Sequence, residues 1–223
     1  MKHSSEILIK VALLLLVWLA WYLMFIQPYS PGFDLAVIVG GMLLIFPVIW
    51  IARTALDRQP TLTRVHWITT AVHYTVGLLV GSAVIRAILT QENWIGWKLP
   101  IAPEIGLVLV YASGAVVLMT VINLALKGLG APFAIALSQK LAVEWLFAWM
   151  RNPMMFSGLI LLFSLGLYYQ SALFLLWVLL VVTPSLLFFL KFYEERELEL
   201  RFGASYLEYK AKTPMLFPRK PRS

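Results

Sequence analysis

The sequence predicts an all-α, multi-pass membrane protein with about six transmembrane helices, the last two forming a helical hairpin, and a cytoplasmic amphipathic helix in the tail. Three observations predict it. Of 223 residues, 61% are hydrophobic, against roughly 45–50% in ordinary soluble domains. Only 13% are charged, and they fall in short clusters between long apolar runs. Most of those runs approach the ~20 residues needed to cross a hydrocarbon core of about 30 Å.

The runs are Ile7–Ile26, Phe33–Ala52, Val65–Leu89, Glu104–Leu126, Met154–Tyr169 and Ala172–Phe192. The first ends in Trp18, Trp21, Tyr22 and Phe25, rings suited to an interfacial belt, and no small-x-small cleavage site follows it. It therefore reads as a retained span and not as a secretory signal. Pro47 and Pro184 lie inside runs, where membrane helices tolerate a kink. The fifth run is short, and Tyr168-Tyr169-Gln170-Ser171 turns it into the sixth. Beyond that hairpin, Glu197 and Arg201 at i,i+4 extend the last span as a helix past the membrane. Gly203 stops it. Ser205-Tyr206-Leu207-Glu208 has the form of a capping box that starts a short helix, which Pro214 ends. Tyr206, Tyr209, Phe217 and the neighbouring lysines suit a helix lying on the inner membrane surface.

Charge sets the expected orientation. The net charge is +7. In this context the excess reads as basic loops near anionic headgroups, and nucleic acid is not an expected partner. Gln27–Asp34 has no lysine or arginine, whereas Arg53, Arg58 and Arg64 flank the next loop and Lys127, Lys140 and Arg151 the fourth. The positive-inside rule then puts both termini in the cytoplasm. Arg86 fits least well. The compact layout reads as that of a bacterial inner-membrane protein. The chain has no cysteine, which excludes disulfides, thiolate metal sites and cysteine nucleophiles. His66 and His73 lie two helical turns apart on the third span. One helix cannot set them on opposite sides of a haem, so they read as packing or interfacial hydrogen-bonding residues, and no metal site is expected.

Residues 1–126 read as the N-terminal membrane helices and 127–223 as the region that carries chemistry. The latter holds Gly128-Leu129-Gly130, then Gln139-Lys140-Leu141-Ala142, then Arg151-Asn152-Pro153-Met154. After the hairpin come Glu194-Glu195-Arg196-Glu197-Leu198 and Phe202-Gly203-Ala204-Ser205-Tyr206-Leu207-Glu208-Tyr209. Charges at a membrane boundary are costly to desolvate, so their grouping here points to a polar ligand held against lipid.

From about Lys127 to Pro218 this order resembles the integral-membrane methyltransferases related to isoprenylcysteine carboxyl methyltransferase and phospholipid N-methyltransferase. Members commonly carry R-H-P or R-N-P, a helical hairpin, E-E-x-x-L, and then F-G-x-x-Y-x-x-Y. The resemblance implies S-adenosylmethionine as cofactor. It also implies a pocket lined by Gln139, Lys140, Leu141, Ala142, Phe147, Asn152, Pro153, Met154 and Met155. Arg151 is the expected catalytic cation, and the methyl group passes in line to a nucleophile entering from the lipid side.

The residue chemistry agrees with such a ligand. Glu194 suits its amino group as a charge-assisted pair, and Glu195 suits the same role or orients the loop. Gly128 and Gly130 suit either close backbone approach to a ligand or helix packing. The expected acceptor is a lipid or small hydrophobic molecule.

Several positions depart from the family pattern. Trp145 and Phe147 stand where relatives usually have glycine and tyrosine, Met155 where they have tyrosine, and Ser157 where they have glycine. These departures keep open a catalytically silent membrane scaffold. A similar hairpin and tail in isoprenoid and steroid reductases keeps open an NADPH-dependent reductase.

Overall fold

The computed structural model describes residues 2–94, 97–128 and 138–221. The helices are α1 (Lys2–Ile26), α2 (Pro31–Arg58), α3 (Leu62–Thr90), α4 (Pro103–Gly128), α5 (Leu146–Trp149), α6 (Pro153–Tyr168), α7 (Ala172–Phe202) and α8 (Ala204–Lys212). Of these, α1, α2, α3, α4 and α7 are long and apolar enough to cross a membrane, and α6 is a shorter apolar helix. Their outward faces carry large apolar side chains, among them Leu8, Leu15, Trp18, Trp50 and Val108. Exposure on that scale matches a lipid-facing surface. The protein is an all-α, multi-pass integral membrane protein. The described residues fall into two compact units.

Unit 1 contains α1, α2, α3 and the Pro184–Glu197 stretch of α7. Its core starts from an apolar stripe on α2. Ile38, Met42, Ile45, Ile49, Ala52 and Leu56 recur at alternating steps of four and three, and all are buried. That spacing keeps one face of a helix against its neighbours. Pro47 has no N–H to offer, and a turn at Leu44 interrupts α2 one helical turn earlier. From α7, Phe189 meets His73 edge-on and Tyr193 Oη lies 3.0 Å from Thr69 Oγ1. A wide π-turn at Val178–Val182 precedes Pro184, and Thr183 Oγ1 donates to the Val178 carbonyl at 2.8 Å. Thr183 N donates to the same carbonyl across the wide turn, so the hydroxyl adds a second bond there.

Charges inside unit 1 are paired locally. Arg86 Nε donates to Asp34 Oδ1 at 2.6 Å, its Nη1 donates to the Met24 carbonyl at 2.7 Å, and its guanidinium lies 5.0 Å from the centre of the Tyr29 ring. Arg86 is therefore a buried structural cation. That is why it fits a loop-charge rule poorly. His66 Nε2 lies 2.6 Å from Glu6 Oε1 and 2.7 Å from Lys10 Nζ, and His73 Nδ1 lies 2.9 Å from the Thr69 carbonyl. Both histidines serve hydrogen bonding between and within helices.

Unit 2 contains α4, α5, α6, the Ala172–Thr183 start and Leu198–Phe202 end of α7, and α8 with the tail. Small residues hold α4 against α6. Gly106, Ser113 and Thr120 follow one another at seven-residue steps on α4, Ser157 and Ser164 do so on α6, and all are buried. Small side chains let membrane helices approach closely, since lipid offers no hydrophobic drive between them. A Cβ on Gly106 would lie 2.3 Å from Tyr168 N, so glycine is obligatory there.

The hairpin turn falls at Tyr168–Ser171, as the sequence predicts. Gln170 adopts φ 56° and Ser171 Oγ accepts from Phe174 N, capping α7. Gly203 stops α7 with φ 55°. It is also the N-cap of α8, which corrects the expected capping box: Ser205 lies inside α8 and makes no cap bond. The ring of Tyr206 is buried, so α8 turns that face into protein; Lys210 pairs with Glu199, while Lys212 on α8 and Phe217 in the tail are exposed.

Candidate active site

The Arg151-Asn152-Pro153 segment is fixed by backbone. Arg151 N donates to the Pro214 carbonyl at 2.9 Å and Asn152 N to the Met215 carbonyl at 3.2 Å, while Arg219 N returns a bond to the Trp149 carbonyl at 3.0 Å. Backbone hydrogen bonds thus tie the tail to residues 149–152. Side chains reinforce it. Asn152 Nδ2 also reaches the Met215 carbonyl at 3.0 Å, Arg151 Nη1 the Lys210 carbonyl at 3.3 Å, and Tyr209 Oη the Phe147 carbonyl at 2.6 Å. Burial pushes the Tyr209 phenol up from its ordinary value, with Arg151 partly opposing. Tyr209 is therefore a neutral donor throughout the physiological range.

Pro153 occupies the first turn of α6, where a missing N–H costs nothing and its fixed φ suits the helix. Met154 and Met155 follow, half-buried. Ser157 donates to the Pro153 carbonyl at 2.8 Å, so the hydroxyl that replaces the family glycine is absorbed by the helix backbone.

A second cluster forms where α4 ends. The Gly128 carbonyl accepts from Gln139 N at 2.9 Å and Lys140 N at 3.1 Å. A Cβ on Gly128 would lie 3.0 Å from Leu124 Cδ1 and 3.6 Å from Ala142 Cβ, so the missing side chain makes room for this return of the chain. Gly130 lies outside the described residues. Lys127 pairs with Glu144 at 2.5 Å and sits 5.6 Å from the Trp145 ring centre. Arg201, at the end of α7, donates to the Ser138 carbonyl. Between this return and α8 lies a cleft of about 460 Å³, lined by Leu141, Val143, Ala148, Tyr209, Lys212 and Thr213 among others.

Glu194 and Glu195 belong to unit 1. Glu195 is buried and Glu194 half-buried, at the end of a second π-turn, Phe189–Glu194. Widened turns of this kind re-aim side chains and recur at functional sites.

The structure adds one residue to the sequence-derived set. Asn123, on α4, is fully buried, and neither its Nδ2 nor its Oδ1 has a hydrogen-bond partner among the described residues. The start of α4 meets the end of α6 at Gly106 and Tyr168, so the two run antiparallel. With equal rises of about 1.5 Å per residue, Asn123 comes level with the start of α6, where Asn152 and Pro153 stand. Its signal in the sequence was a carboxamide inside an apolar span, which nothing in the local pattern distinguishes from a packing residue.

A fixed polar segment at the start of α6, a cleft near it and a carboxamide without a partner among the described residues make this end of unit 2 a candidate ligand site. Residues 101–205 match the family model described as phospholipid methyltransferase. That stretch, a little under half of the chain, resembles a phospholipid methyltransferase domain. No curated protein and no solved structure matches the chain. The matched stretch encloses α4, α5, α6, α7 and the first residues of α8, hence Arg151-Asn152-Pro153, Glu194-Glu195 and Phe202-Gly203 together. Over that stretch the chain is similar to the phospholipid methyltransferase family.

Proposed function

We propose that this protein uses S-adenosylmethionine to methylate a lipid or small hydrophobic acceptor at the cytoplasmic membrane face. The orphaned Asn123 carboxamide carries the reading. Burying an amide without partners costs several kcal/mol in apolar surroundings, and a polar ligand at the level of α6 would satisfy it. The resemblance implies which residues would hold the cofactor. Its amino group suits Glu194, with Glu195 as second carboxylate. Its carboxylate suits the positive start of α6 and the Arg151 cation. Gln139, Lys140, Leu141, Ala142, Phe147, Asn152, Pro153, Met154 and Met155 line the proposed pocket, and the glycine at 128 permits the chain to fold back onto it. The bound cofactor supplies an activated methyl group on a sulfonium.

The chain's work is then positioning and exclusion of water. The Pro214–Met215 stretch fixes the Arg151–Asn152 backbone and Tyr209 fixes the Phe147 carbonyl, so the approach to α6 is set before a ligand arrives. The apolar helices exclude water from the acceptor's nucleophile, and a lipid reaches it sideways without crossing a polar surface. Both termini lie in the cytoplasm in this proposal. Single cysteines placed at Ser30 and Ser223 of the cysteine-free chain then label from opposite sides of the membrane.

The deciding experiment titrates the purified protein with S-adenosylmethionine and, in parallel, NADPH. It then supplies methyl-labelled cofactor to membranes. Binding of the first alone, and label in the organic-extractable fraction, support the proposal. Glu194→Gln weakens binding by about 1.5–3 kcal/mol, the worth of a hydrogen bond to a charged group, and Arg151→Ala abolishes transfer. Binding of NADPH alone, or label confined to water-soluble product, refutes the proposal.

A further inference from the structure

Unit 1 holds a second polar cleft, of about 460 Å³, between α2 and α7. Its lining is Trp50, Arg53, Thr54, Asp57, Lys191 and Phe192. Asp57 accepts from both Arg53 Nε at 2.6 Å and Arg196 Nε at 2.9 Å, and Arg53 Nη1 donates to the Phe192 carbonyl at 2.7 Å. Within the lining, Asp57 is the one carboxylate set against Arg53 and Lys191. Lys191 is exposed and makes no ion pair or hydrogen bond among the described residues. The cleft carries an uncompensated positive charge, and an anion is its complement.

The groups leading into it say which anion. On α2, Phe46, Trp50, Arg53 and Asp57 fall at helical spacing, and on α7 so do Phe188, Phe192 and Arg196. The Phe46 and Phe188 rings meet at 4.9 Å, and Phe188 stacks on Phe192 at 4.3 Å. Arg53 lies seven residues from Phe46, about 10 Å along the helix. An aromatic ladder thus rises from the apolar depth of the span to the charged cleft at its end. Trp50 stands at the junction, 64% exposed. A free inorganic ion has no use for exposed rings below it. A molecule with an anionic head and acyl chains matches both ends.

We propose that this seam binds an anionic glycerophospholipid, its phosphate at Lys191 and Arg53 and its chains along Phe192, Phe188 and Phe46. The bound lipid fastens α2 to the Pro184–Glu197 stretch of α7 within unit 1. The proposal is independent of methyl transfer and of S-adenosylmethionine binding.

The test reconstitutes the full chain in phosphatidylcholine nanodiscs and measures tryptophan quenching by brominated guest lipids. At equal mole fraction, brominated phosphatidylglycerol quenches more than brominated phosphatidylcholine, and Trp50→Phe removes that increment. Lys191→Gln lowers the phosphatidylglycerol preference about fivefold, the effect of one basic residue on an anionic lipid, while Lys191→Arg keeps it. Equal quenching by the two lipids in the wild type overturns the proposal. So does an increment that survives Trp50→Phe, an unchanged preference in Lys191→Gln, or loss in both Lys191 variants. Elimination of the increment by millimolar glycerol 3-phosphate makes the cleft a site for soluble phosphate and overturns the lipid assignment.

Discussion

The two units solve the same packing problem with opposite materials. In unit 1, large side chains on α2 (Ile38, Met42, Ile45, Ile49, Leu56) fill the space between helices, and buried charges such as Arg86 and Asp34 answer one another. In unit 2, α4 and α6 approach through Gly106, Ser113, Thr120, Ser157 and Ser164, and a buried carboxamide, Asn123, has no partner among the described residues. A core of large side chains tolerates small changes of volume by repacking, whereas a backbone-to-backbone contact cannot. Unit 2 is thus the less forgiving of the two, and it carries most of the proposed ligand groups on stiff supports.

The largest expected effect breaks the small-residue seam. Gly106→Ala puts a methyl 2.3 Å from Tyr168 N and 2.6 Å from its Cα, atoms that cannot rotate away. The cost exceeds the about 1–3 kcal/mol of ordinary overpacking, and little folded protein is expected. Gly114→Ala, on the same helix but with open space around its Cα, is neutral or gains up to about 1 kcal/mol from helix propensity. Detergent unfolding monitored by circular dichroism separates them. Equal stability of the two variants would remove the seam from the account.

The second effect tests the paired charges of unit 1. Arg86→Leu leaves Asp34 buried without its cation and costs about 3–5 kcal/mol, whereas the double variant with Asp34→Leu recovers most of that loss. The same unfolding assay reads both. A double variant as unstable as the single one would mean that Arg86 acts mainly through the Met24 and Gln27 carbonyls it also bonds.

These expectations rest on different amounts of sequence information. The helices were readable because lipid imposes a length and a polarity on each of them. The π-turn at Val178–Val182 was foreshadowed only by Pro184. The motif residues could be picked out, but their mechanics could not. Nothing local in Pro214 or Met215 announces that their carbonyls would pair with Arg151 and Asn152, since bonds across sixty residues are set by the return of the tail. Ser205 misled because a capping box is defined by residue type, while the cap itself goes to whichever residue takes the non-helical backbone angles, here Gly203. Arg86 looked like a loop charge until Asp34 was found beside it.

The smallest expected effect concerns one backbone shape built twice in unit 2. Gly203 has φ 55° and ψ −129°, and Trp145 has φ 55° and ψ −121°. Side-chain-bearing residues rarely adopt these angles, because Cβ crowds the adjoining peptide. Around Gly203 there is open space, so Gly203→Ala costs only conformational strain, about 1–3 kcal/mol. Trp145 already bears that strain at the position where the related methyltransferases usually have glycine. Trp145→Gly removes it but also removes the Lys127 contact with the indole, about 0.5–1 kcal/mol at an exposed site, and adds unfolded-state freedom worth about 0.4–1 kcal/mol. At their midpoints the terms leave about 0.5 kcal/mol in favour of the variant, and their limits run from about 1 kcal/mol against it to about 2 kcal/mol for it. Trp145→Ala keeps a Cβ, loses the indole contact, and therefore falls below both wild type and Trp145→Gly. That rank order in unfolding midpoint, glycine above tryptophan above alanine, is the signature of backbone strain. Alanine above glycine would mean that the family's glycine serves something other than the turn.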